Sequence, residues 1–124
     1  MNIDTSNIIT LAYIGDAIYE VYIRKKLVEL GIIKVNELQK HTVKYVSAKG
    51  QKEILSKLID NNILTDEELN IVKRGRNNKR TNHPKNTDII TYKLSTGFEA
   101  LIGYLYLNNN YNRLEEIFKY IEVK

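Results

Sequence analysis

The 124-residue chain contains no cysteine. Disulfides and thiolate metal sites are therefore excluded, and the composition suits a reducing, cytoplasmic compartment. Strand signals are weak, because alternating apolar and polar runs bounded by turn residues do not recur. Asp, Glu, Lys or Asn interrupts every long apolar run before it could span a bilayer, so no membrane segment is expected. The N-terminus has no basic segment leading into an apolar core and cleavage site, the mark of a signal peptide. Nucleophilic serine motifs, phosphate-binding glycine loops and zinc-ligand spacings are also missing. There is one proline, Pro84, and no clear internal repeat; His41 is isolated and takes no role.

What is present points to helices. Hydrophobic residues make up 43% of the chain and charged residues 27%, the balance of an ordered globular protein. The length suits a single domain over residues 1–124 with a real core. The formal net charge of +4 is a mild pointer to a polyanionic partner. The pattern suggests a short helix over Ser6 to Tyr13 and a second from Gly15 to Leu30, stopped by Gly31. Asn36 with Gln39 resembles a capping box opening a short helix. Val43, Val46, Gly50, Ile54 and Leu58 then recur at three- and four-residue spacing, as one face of a longer helix. Gly50 within it marks close packing or a bend. Thr65 with Glu68 is a capping box for a helix through about Arg74. A helix capped by Asn86 or Thr87 runs to about Leu107, and Asn112 with Glu115 opens a last one reaching Tyr120. The expected architecture is all-α.

Two carboxylates sit in apolar helical context. Asp16 lies in LAYIGDAIYE, and Glu99 lies in GFEALIGYLYL on a small, polar stripe with Ser95, Thr96, Gly103 and Tyr106. That stripe would let another helix or a ligand come close. Unpaired burial of either charge would cost several kcal/mol, on the order of what a buried ion loses in hydration. A pairing cation, a helix cap or a solvated cleft would each relieve it. Asp16 reads equally as an N-cap after glycine, and Glu99 as an exposed or ion-paired residue. The alternative is a divalent cation between two helices. Mg²⁺ takes one or two carboxylates and completes its octahedron with water and substrate phosphate.

A basic stretch, Lys73, Arg74, Arg76, Lys79, Arg80 and Lys85, contains no acid and reads as an exposed loop. It is either solvated surface or a set of phosphate-backbone contacts, to which His83 adds a donor. The nine tyrosines fall mostly on helical stripes, which favours packing over base stacking.

YIGDAIYE, Tyr13 to Glu20, resembles the signature helix of the ribonuclease III family. FEALIGYLYL, Phe98 to Leu107, resembles that family's second motif. KRGRN, PKNTD and TYKLSTGFEALIGYLYL together resemble its short Mini-ribonuclease III subgroup, and no double-stranded-RNA-binding segment follows. The resemblance spans nearly the whole chain. Two positions depart from the wider family: Ala12 stands where it has a glutamate, and Thr96 where it has an aspartate.

The resemblance implies an all-α homodimer that cleaves double-stranded RNA across a catalytic valley, leaving 5′ phosphates. It implies Asp16 and Glu99 as catalytic metal ligands for Mg²⁺, with Mn²⁺ able to substitute. Thr96 is an auxiliary candidate through its hydroxyl, and so is Glu20, one turn from Asp16, unless it simply pairs with Arg24. Lys73, Arg74, Arg76, Lys79, Arg80 and Lys85 would contact RNA. The implied substrate is precursor 23S ribosomal RNA, with a ribosomal protein as a possible assistant. Two other classes stay open on the residues alone: an inactive duplex-RNA-binding protein, and an all-α protein-interaction module.

Overall fold

Asn7 opens the first helix by accepting a hydrogen bond from the Thr10 amide at 3.3 Å. From there the computed structural model describes residues 7–78 and 88–124. Helix α1 runs Ile8–Glu29 without interruption. The break expected between Tyr13 and Gly15 is absent, and Asp16 is therefore not a helix cap. Gly15 stays helical despite its cost of about 1 kcal/mol relative to alanine, because another helix presses on it. Gly31, at φ 90°, ends the helix in the left-handed region as expected.

Five more helices follow: α2 Val35–Val46, α3 Ala48–Asp60, α4 Asp66–Arg76, α5 Ile89–Leu107 and α6 Tyr111–Phe118. No strand occurs among the described residues, and none of their helices is long and apolar enough to cross a membrane. The longer helix expected across Val43 to Leu58 is instead two. Ser47 breaks it by adopting an extended conformation, and its hydroxyl caps α3 by accepting from the Gly50 amide at 3.1 Å. A methyl group on Gly50 would come 2.9 Å from the Tyr45 carbonyl oxygen, so glycine lets α3 fold back against α2. The proposed Asn36–Gln39 box does not form, since α2 starts at Val35 without a side-chain cap. Thr65 and Glu68 do form their reciprocal box. Asp88 caps α5, accepting from the Thr91 amide at 2.8 Å; the expected caps Asn86 and Thr87 lie outside the described residues. Helix α6 likewise starts one residue before Asn112, without a side-chain cap.

Helix α5 is the centre, packed against α1, α3, α4 and α6. Its Phe98, Leu101 and Ile102 are fully buried against Leu11, Tyr19, Ile23 and Leu27 of α1. Each such side chain contributes about 1.5–3 kcal/mol of burial. Tyr19 meets Phe98 edge-on at 5.1 Å, and its hydroxyl donates to the Tyr45 carbonyl at 2.8 Å. Tyr22 stacks on Phe118 at 4.1 Å. These tyrosines pack, as the stripes suggested.

Candidate active site

Three glycine contacts place the site. A methyl group on Gly15 would overlap the Glu99 carbonyl, and one on Gly103 would overlap that of Leu11. Helices α1 and α5 therefore cross backbone to backbone, on the small stripe that carries Glu99. This crossing sets Asp16 of α1 beside Glu99 of α5. Gly75 makes the third contact: its added methyl would lie 2.7 Å from the Cα of Gly97. It draws the basic end of α4 onto α5, with Gly75 at the edge of the cleft.

The result is a cleft of about 340 Å³. Helix α1 lines it with Ala12, Tyr13 and Asp16, and α5 with Lys93, Thr96 and Glu99. Gly75 and Asn78 close the α4 side. Asp16 is exposed at the rim, whereas Glu99 is part-buried. The two carboxyls line the same cleft, close enough for Asp16 to act on Glu99. No lysine or arginine among the described residues pairs with Glu99. Burial first, and then the neighbouring Asp16, push the Glu99 carboxyl up to about 8, while a hydrogen bond from Gln51 opposes the rise. Crowding two carboxylates without a cation is costly, and a divalent ion would relieve it.

Among the described residues no three acidic or histidine side chains converge. The donor set is two carboxylates plus the Thr96 oxygen, whose proton is committed to the Tyr92 carbonyl at 3.1 Å. That suits a hydrated hard cation of the Mg²⁺ type, which needs few protein oxygens. It is too sparse to enclose a metal by itself.

Glu20 does not join this cleft. It pairs with Arg24 at 2.7 Å on the exposed side of α1. Lys73, Arg74 and Arg76 belong to the last turn of α4 rather than to a loop. Lys79, Arg80 and Lys85 lie outside the described residues. Sequence reading missed Gln51, Lys93 and Tyr13. Gln51 shares a buried stripe with Leu55 and Leu58, and a glutamine on an apolar stripe was the available signal.

The ribonuclease III domain model matches residues 9–110. This chain belongs to the ribonuclease III family. It is 43% identical to the Mini-ribonuclease 3 of Streptococcus pneumoniae over 94% of this chain and 91% of that one. The Mini-ribonuclease 3 of Enterococcus faecalis is 49% identical over 90% of this chain and 84% of its own. A crystal structure of a Fusobacterium nucleatum protein superposes with a TM-score of 0.79 at 35% identity, covering 90% of this chain and 88% of that one. A ribonuclease III domain is an RNA endonuclease, and enzymes of the family generally depend on a divalent metal ion.

Proposed function

We propose that the α1–α5 cleft is the hydrolytic centre for duplex RNA, with Asp16 and Glu99 as the ligands of a single Mg²⁺ site. The meeting of these two carboxylates at the glycine crossing carries the reading. Ala12 and Thr96 leave the site with fewer charges than the wider family's, so a cation held there would need water and RNA phosphate as its remaining ligands. A cation held by Asp16 and Glu99 would supply Lewis-acid activation of water and charge neutralisation at phosphorus. Asp16, at the rim, faces incoming substrate. Glu99, held from behind, fixes the inner side. Lys93 lines the cleft, and in this reading it contacts phosphate together with Lys73, Arg74 and Arg76 of the α4 turn whose Gly75 closes one side. Tyr13, 80% exposed at the cleft wall, offers an aromatic face toward the RNA.

A second copy supplies the other half of the catalytic valley. Val28 and Val35 line a shallow groove between α1 and α2 with Leu38 and Thr42. Val21, Ile33 and Val43 add further exposed apolar surface on those segments, a surface a homodimer would cover. The substrate in this reading is precursor 23S ribosomal RNA, and the compartment is the cytoplasm. A labelled RNA duplex incubated with Mg²⁺, and with EDTA as control, tests the activity. Cleavage by wild type and none by Asp16→Asn or Glu99→Gln is the expected result. Binding without cleavage by wild type would instead identify an inactive RNA-binding protein.

A further inference from the structure

Gln51 is 2% exposed and stands on the apolar stripe of α3 with Leu55 and Leu58. Its side-chain amide nitrogen donates twice. One bond goes to the Val46 carbonyl at 3.0 Å, and the other to Glu99 Oε2 at 3.2 Å. Its Oε1 is buried and has no hydrogen-bond partner among the described residues. Leaving that oxygen unpaired in the core costs stability, which the two donated bonds offset.

The arrangement has a definite polarity. The Val46 carbonyl can only accept, so it holds the amide with its NH₂ group forward. Turning the amide over would set Oε1 against the Val46 carbonyl oxygen, which has no proton to give. Gln51 therefore presents Glu99 with a donor and not an acceptor. It also occupies one of the two Glu99 oxygens. The Ser47 break supports this placement, because the tight α2–α3 corner brings the Val46 carbonyl within reach of residue 51.

We propose that Gln51 is a positioning residue for the metal site: anchored on Val46, it clamps one oxygen of Glu99 and leaves the other for the cation. Partners of this kind, one shell behind a ligand, typically change metal affinity by about 10–100-fold when lost. The proposal rests on Glu99 being a metal ligand.

The test is calorimetric titration of Mn²⁺ into the metal-free protein without RNA. Three variants are compared with wild type: Gln51→Met, which keeps length but no donor; Gln51→Asn, whose amide falls one methylene short; and Thr65→Ala, which removes the α4 cap without touching Gln51, Val46 or Glu99. We expect Mn²⁺ to bind Gln51→Met and Gln51→Asn at least tenfold more weakly than wild type. Thr65→Ala should keep wild-type affinity despite a lowered Tm. In duplex cleavage, Gln51→Met should need more metal for half-maximal rate, with KM for RNA unchanged at saturating metal. Unchanged Mn²⁺ affinity in both Gln51 variants would overturn the proposal, as would an equal loss in Thr65→Ala. Glu99→Gln separates the two levels of the argument. If it binds Mn²⁺ as tightly as wild type, the ligand assignment itself has failed.

Discussion

Gly15 and Glu99 meet backbone to backbone, and the site depends on that approach. A methyl group on Gly15 would overlap the Glu99 carbonyl and stand 2.7 Å from the Gly103 amide nitrogen. Neither neighbour can yield without moving a helix. Alanine gains about 1 kcal/mol of helix propensity, but overpacking typically costs about 1–3 kcal/mol and here meets main chain. We expect Gly15→Ala to lower Tm and, by pushing α1 off α5, to lose cleavage more than its stability loss explains. Thermal melts and duplex cleavage at a temperature where the variant is folded would check this. A wild-type rate would show that the crossing distance does not set the carboxylate spacing.

Glu99 also makes a stability prediction that needs no substrate. Its carboxyl sits at about 8 in the folded protein against an ordinary 4.5, first through burial and then through Asp16. Between those values the folded state holds a proton that the unfolded state has released. Stability contributed by this group is therefore fully present below about 4.5 and is lost as pH rises through about 8. Removing the charge should help: metal-free Glu99→Gln should be more stable than wild type at pH 8, by on the order of a few kcal/mol. The gain should vanish near pH 4.5, and Mg²⁺ should stabilise wild type but not the variant. Chemical denaturation at the two pH values, with and without Mg²⁺, would measure it.

A different carboxylate should govern acid stability. Arg113 of α6 grips Glu68 through Nε to Oε2 at 2.7 Å and Nη2 to Oε1 at 2.8 Å, and also donates to the Ile63 carbonyl at 2.7 Å. Burial pushes Glu68 up, but the bonds from Arg113 and Thr65 outweigh it and hold the carboxyl below the usual range. Stability from a lowered carboxyl is present above its unfolded value and is lost as pH falls through its folded one. Arg113→Ala leaves a buried charge unpaired, which typically costs about 3–5 kcal/mol. Its acid unfolding should begin at higher pH than that of wild type, with cleavage at neutral pH retained while the variant stays folded. Acid titrations followed by circular dichroism would detect the shift.

Features set by neighbours in sequence were legible before the structure. The Thr65–Glu68 box, the stop at Gly31 and the end of α5 near Leu107 all depend on local hydrogen bonding. Features set by distant packing were not. Gly15 looked like a helix start because its partner, the Glu99 carbonyl, is far along the chain. Ser47 went unnoticed because the stripe through Val43, Gly50 and Leu58 continues across it in register. Asp16 and Glu99 could be named from the resemblance, but their shared cleft required the crossing. Gln51 was hidden because the stripe was drawn one residue off, through Gly50 and Ile54.

The basic end of α4 gives the last prediction. Gly75 packs against Gly97, and this fixes the turn carrying Lys73, Arg74 and Arg76 beside the cleft. Cations held on a helix against the site should pay less ordering entropy on meeting phosphate than cations on a free loop. Each phosphate they neutralise releases condensed counterions and steepens the fall of log K with log salt by roughly one unit. Lys73→Gln and Arg76→Gln together should weaken duplex RNA binding and flatten that slope by roughly one to two units. Base composition should not alter the loss, because A-form duplex is read mostly through shape and backbone. Arg74 is better left intact in this test, since it already has a partner within the protein. The measurement is duplex binding by Glu99→Gln, which should not cut its ligand, across a salt series. An unchanged slope would make these residues solvated surface and place the phosphate contacts elsewhere.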